Sequence, residues 1–139
     1  MLEKVLNDSE FALMMQRNVK ECVEFLLKKE FSFSVMANLE LVLFNPDLPK
    51  EIKDTFKFPA IVFELGGYTL QSAFIKDDEL KFEAGFGEND FASVVSVPLA
   101  SVIQIVVDNS PILVNFAITK SKKEDYKRAK SRKIFSLEE

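Results

Sequence analysis

A chain of 139 residues is long enough to bury roughly two-thirds of the surface its unfolded form exposes, so one domain with one core is expected. Hydrophobic residues at 47% and charged residues at 29% are globular values, and 14 Phe with no Trp predict a core built on phenylalanine. The lone Cys22 excludes an intramolecular disulfide, the absence of histidine removes the commonest general base and metal ligand, and no apolar run reaches the roughly 20 residues of a membrane helix.

Charge is unevenly distributed. Residues 120–139 hold eight Lys/Arg and four Asp/Glu, which leaves ten and eighteen of the totals of 18 and 22 for residues 1–119. An acidic body argues against a nucleic-acid surface on the domain, because binding needs cations to neutralise phosphates; only the basic tail fits such a partner. No charged-then-apolar leader opens the sequence, so a reduced, cytoplasmic protein with no membrane partner and no cofactor is expected.

In chain order, Met1 to Asp8 reads as a lead-in, with Asp8 or Ser9 as helix cap. The spacing predicts a helix over 9–30, its periodic part running from Glu10 to Lys29. Phe11, Met15, Val19, Cys22 and Leu26 recur at three- and four-residue steps against a polar face that includes Lys20, Glu21, Glu24 and Lys28. The stripe serves either core packing or, through Phe11, Met15, Val19 and Cys22, a second copy of the chain. From Phe31 the period becomes two, and alternation through Phe33, Val35, Leu39, Leu41 and Leu43 predicts a strand into Phe44. The prolines of Asn45-Pro46-Asp47-Leu48-Pro49 end it, and a helical turn fits Lys50 to Thr55.

Strands are expected at Ala60–Leu65, Tyr68–Ile75 and Glu79–Phe86, as an antiparallel meander whose last strand turns Phe82, Ala84 and Phe86 to one face. Strands near Val94–Val97 and Val102–Val107 follow, with a turn at Pro98-Leu99-Ala100. After the Asp108-Asn109-Ser110-Pro111 turn, Ile112–Ile118 closes a body over 1–118, and 119–139 form the tail. All four glycines, Gly66, Gly67, Gly85 and Gly87, fall in or just beyond the Pro59–Phe86 stretch. Glycine among strand formers marks either the close approach of a ligand or another backbone, or a bulge with strong coiling.

Enzyme chemistry finds little footing. Cys22 has no histidine partner, Asp77-Asp78-Glu79 sits in a hairpin turn without the spaced ligands of a calcium loop, and Gly85-Phe86-Gly87 lacks the strand-turn-helix setting of a phosphate cradle. A carboxylate-dependent hydrolase would need paired acids in a cleft, and the sequence offers no convincing pair. What remains is either an open sheet that accepts an extended peptide or a small barrel whose glycines mark a bulge and strong strand coiling.

Ala60-Ile61-Val62-Phe63, the stretch Leu70 to Asp78, Leu80-Lys81-Phe82-Glu83-Ala84-Gly85-Phe86-Gly87 and Val95-Ser96-Val97-Pro98-Leu99-Ala100-Ser101-Val102, in that order, resemble the SspB (stringent starvation protein B) family. The long helix leading into an extended pair and Phe116 near the end of the body are similar too, and the Leu48-Pro49 to Pro59 connection resembles the alphaproteobacterial branch. The resemblance covers about residues 9–118. It implies an α+β, mainly β fold: an N-terminal helix followed by an SH3- or Sm-like partly open antiparallel barrel, dimerising through the helix. It also implies a non-enzymatic adaptor that holds the ssrA-type tag of polypeptides from stalled ribosomes and delivers them to the ClpXP protease. By position the peptide groove would involve Gly66, Gly67, Glu83, Ala84, Phe86 and Gly87. A mobile tail would dock on the ClpX unfoldase, here through Ile134, Phe135 and Leu137. Two departures stand out: the family's paired glycine is Gly87-Glu88 here, before a loop about two residues longer, and the short basic tail does not match the family's docking motif. The alternative reading is an Sm- or SH3-like RNA-binding module that grips phosphates with its tail.

Overall fold

Asp8 starts the main helix as its residue type predicts. Its carboxylate accepts hydrogen bonds from the backbone N–H groups of Glu10 (2.8 Å) and Phe11 (3.2 Å), two of the donors a helix leaves unpaired at its start. From that cap α2 runs Ser9–Lys29, and the expected lead-in is itself a short helix, α1, Leu2–Leu6. Asp8→Ala should cost about 1 kcal/mol, seen as a lower urea midpoint with an unchanged slope.

The computed structural model describes residues 1–117; the expected basic tail, with Ile134, Phe135 and Leu137, lies outside the described residues. Beyond α2 the chain forms β1 (Phe33–Asn38), β2 (Leu43–Asn45), α3 (Lys50–Lys53), β3 (Ala60–Leu65), α4 (Gly67–Ser72), β4 (Phe74–Lys76), β5 (Glu79–Phe86), β6 (Phe91–Pro98), β7 (Val102–Val107) and β8 (Ser110–Val114). These build two four-stranded antiparallel sheets, ordered β3-β1-β7-β8 and β2-β6-β5-β4. Strand pairing does not close the two sheets into one barrel.

The described chain crosses between sheets four times, and two of the crossings, β1 to β2 and β6 to β7, are made at 3-10 turns, Leu39–Leu41 and Leu99–Ser101. The first corrects the expectation of one strand running into Phe44. Asn38 accepts a hydrogen bond from the Glu40 N–H (3.1 Å), which turns the backbone out of extended geometry and sends β1 and β2 to different sheets. At the second, the Leu99 N–H donates to the Asp78 carbonyl (3.0 Å), tying the corner to the β4–β5 turn.

The expected three-strand meander does not form. β3 pairs with β1 (Val35 opposite Phe63), and residues 67–72 are helix rather than strand. Gly67, with φ of +54°, turns the chain sharply after β3, and Leu70 and Ala73 then pack on the core from the helical segment. Tertiary packing thus overrides the strand preference of Tyr68 and Thr69. Only Phe74–Lys76 pairs with β5, across a two-residue loop in which Asp77 and Asp78 both have positive φ. The closing strand is Ser110–Val114, reached through Asp108 and Asn109, also at positive φ.

One core joins the layers. Val19, Val23 and Leu26 of α2 meet Val35 and Phe63 of one sheet and Leu80, Phe82, Val95 and Val97 of the other, all buried. On β5 the alternation holds: Leu80 and Phe82 are buried and Ala84 and Phe86 half-buried, whereas Glu83 and Gly85 are exposed.

Candidate functional site

The connection between β2 and β3 forms one wall of a groove. Pro49 opens α3, a single turn, with Leu48 buried beneath it. Asp47 braces the turn: its carboxylate accepts from the Leu48 N–H (2.9 Å) and from the Lys53 ammonium (2.6 Å). The Lys53 ammonium, helped by the Leu48 N–H, holds the Asp47 carboxyl below its ordinary range. The buried Ser93 hydroxyl donates to the Pro46 carbonyl (2.8 Å) and so fixes the start of the connection to β6. Ile52 and Phe56, four residues apart, then share one side of the segment, both half-buried.

The tip of the β5–β6 hairpin forms the other wall. Phe86 and Phe91 are the last facing pair, and the Asp90 N–H donates to the Gly87 carbonyl (3.2 Å) across the loop. Gly87 has φ of +75°, and a side chain there would come within 3.3 Å of the Ile52 Cδ1. Its missing Cβ therefore admits the α3 wall itself. A Cβ at Gly85 would come within 3.1 Å of the Asp90 Oδ1, so that glycine admits a loop side chain.

Between the walls lies a depression of about 650 Å³, with Pro49, Ile52, Phe56, Phe86 and Phe91 as its apolar lining. Among the described residues, its ionisable lining groups are the exposed carboxylates of Glu51 and Glu88. Phe56 also borders a second depression of about 540 Å³, lined by Leu39, Val42, Leu43, Phe44 and the Asp47–Lys53 pair. Phe56 stacks on Phe44 (centroids 6.4 Å apart), Phe44 meets Phe86 edge-on (5.6 Å) and Phe63 (6.3 Å), and Phe63 meets Phe82 (5.3 Å). A run of rings from Phe56 and Phe86 through Phe44 and Phe63 to Phe82 thus carries the groove floor into the core.

The sequence-predicted groove residues divide between two places. Phe86 and Gly87 line the groove, and Ala84 packs half-buried against the core on the same face of β5. Gly66 caps α4 beside Ser32, and Gly67 supplies the positive-φ turn. Glu83 accepts a hydrogen bond from the Tyr68 hydroxyl, and its N–H donates to the Ser72 Oγ (2.9 Å), so it pins α4 to β5. The Glu83 carboxylate raises the Tyr68 phenol above its usual range. Glu51, Ile52, Phe56, Glu88 and Phe91 are not among the sequence-predicted site residues; the four-residue spacing of Ile52 and Phe56 between two prolines is a signal for those two, and none marks the others.

Of the residues expected at a dimer interface, Val19 is wholly buried in this chain's own core and Cys22 packs against that core. Val19 is therefore closed to a second copy, since its side of the helix covers the sheets, whereas Cys22 is half-buried. Phe11 and Met15 are half-buried, and Leu13 and Met14 beside them are exposed. Burial pushes the Cys22 thiol up from its usual range, which disfavours the thiolate. Among the described residues no group of three or more His, Cys, Asp or Glu is placed to hold a metal ion, and no helix is long and apolar enough to cross a membrane.

The class defined by these features is a mainly β domain of two antiparallel sheets under one long helix, carrying an aromatic groove with an acidic rim. No family model matches the chain, and no curated protein matches it.

Proposed function

We propose that the chain is a cytoplasmic, non-enzymatic adaptor of the SspB kind, whose groove between α3 and the β5–β6 tip holds the ssrA-type tag of a polypeptide bound for degradation by ClpXP. The observation that carries this reading is the apolar groove of about 650 Å³, floored by Phe56, Phe86 and Phe91. Its size falls within the range of about 300–1,000 Å³ typical of ligand sites. Aromatic pockets of this kind anchor the alternate side chains of a bound peptide.

In this reading the two sheets act as a partly open SH3- or Sm-like barrel, and two chains pair through the N-terminal helical region around Phe11, Met15, Leu13 and Met14. The tail, through Ile134, Phe135 and Leu137, contacts the unfoldase. Function is then tethering: two weak contacts on one molecule raise the local concentration of substrate at the protease.

Fluorescence anisotropy with a labelled ssrA-type peptide tests the reading. Saturable binding is expected at or below about 100 µM, a contact of about 5–6 kcal/mol. Absence of binding in that range sinks the adaptor proposal. RNA binding with a steep salt dependence in the same assay would favour the RNA-binding alternative.

A further inference from the structure

We infer that in the peptide-free protein the groove is occupied by this chain's own C-terminal end, with Ile134, Phe135 and Leu137 against the aromatic floor and Arg132 and Lys133 beside Glu51 and Glu88. The inference deepens the proposed peptide site and rests on that groove being one.

Complementarity is the first support. The groove pairs an apolar lining with two carboxylates, and among the described residues no Lys or Arg lines it. Residues 118–139 carry the matching pattern in one place: the basic residues Lys127, Arg128, Lys130, Arg132 and Lys133 lead directly into Ile134-Phe135-Ser136-Leu137, with Glu138 and Glu139 after them. Across the whole chain the signs agree as well, because the acidic excess lies in residues 1–119 and the basic excess in 120–139. Opposite net charges on body and tail favour their encounter.

Reach is the second. Seventeen residues run from 118 to 134, and an extended chain spans about 3.3 Å per residue, or about 55 Å in all. A folded body of this size has a radius of gyration of only about 13–14 Å. Any point on its surface lies within reach of the tail.

Intramolecular concentration is the third. A tether that lets its end reach the groove presents that end at an effective concentration of order 1 mM, so a contact with a dissociation constant of about 0.1 mM between separate molecules is about nine-tenths occupied within one chain. A tag peptide must then displace the tail, and displacement releases the same residues that are proposed to meet the unfoldase. Substrate loading and protease docking become coupled through competition for one groove.

The test places p-benzoylphenylalanine at position 135 of the full-length chain and maps the photocrosslinks by mass spectrometry. Crosslinks to residues 49–56 or 86–91 within a product of monomer mass are expected. Their yield should fall about threefold or more in a Glu51→Lys, Glu88→Lys variant, in keeping with modest surface charge pairs, and recover when Arg132→Glu and Lys133→Glu are added. Crosslinks elsewhere on the body, crosslinks only between two chains, no crosslinks, or a yield indifferent to charge reversal each overturn the inference. Tag-peptide binding in the anisotropy assay together with any of those results separates failure of the tail proposal from failure of the groove.

Discussion

Phe63→Ala is expected to lower the unfolding free energy by about 3–5 kcal/mol, the usual cost of emptying a phenylalanine site in a packed core. Phe63 is 4% exposed and touches the rings of Phe44, Phe82 and Phe86, so its loss removes the centre of the run that joins both sheets. Against a total stability of about 5–15 kcal/mol such a loss leaves the domain marginal, and the melting temperature should fall by about 10–20 °C. Phe58, 75% exposed, is the control: Phe58→Ala should change stability by no more than about 0.5 kcal/mol. Urea unfolding of both variants measures the difference. Equal stabilities would mean that the ring run is not what holds the two sheets together.

Phe56→Ala should weaken binding of the ssrA-type peptide about 30-fold, corresponding to about 2 kcal/mol for an aromatic anchor. Phe56 borders both depressions and rests on Phe44, yet it is only half-buried, so the fold should lose less than in Phe63→Ala. The matched comparison is Gly66→Ala. A Cβ there meets nothing closer than the Ser32 Oγ at 3.5 Å, and the residue lies outside the groove lining. That variant should bind peptide as the parent does. The reverse pattern, with binding lost on changing Gly66 and kept on changing Phe56, would move the site to the α4 end of β5.

Much of the fold was legible because local rules and tertiary packing agree. The apolar spacing from Phe11 to Leu26 gives α2, and Asp8 caps it through two hydrogen bonds. The alternation through Phe82, Ala84 and Phe86 gives the inner face of β5. At Tyr68–Ser72 the strand-forming residues point to one structure and the backbone at Gly67 to another, and packing of Leu70 and Ala73 with the hydrogen bonds to Glu83 decides for the helix, whereas Phe74 and Ile75 form strand as expected. The glycines themselves were the weakest guide to the site. Gly85 and Gly87 make room for Asp90 and Ile52 of this chain, and Gly66 and Gly67 serve the turn into α4. Half of the groove comes from Pro49–Phe56, a stretch with no local pattern linking it to the β5–β6 tip; sheet topology alone brings the two together.

The most direct measurement of peptide capture at this groove is a titration of the uniformly 15N-labelled full-length chain with unlabelled ssrA-type peptide, followed by amide chemical shifts. Saturable shifts are predicted at residues 51–56 and 86–91, accompanied by shifts at residues 132–137 as the peptide displaces the tail. Shifts centred on Gly66, Gly67 and α4, or no shifts with peptide present at about 100 µM, would contradict it.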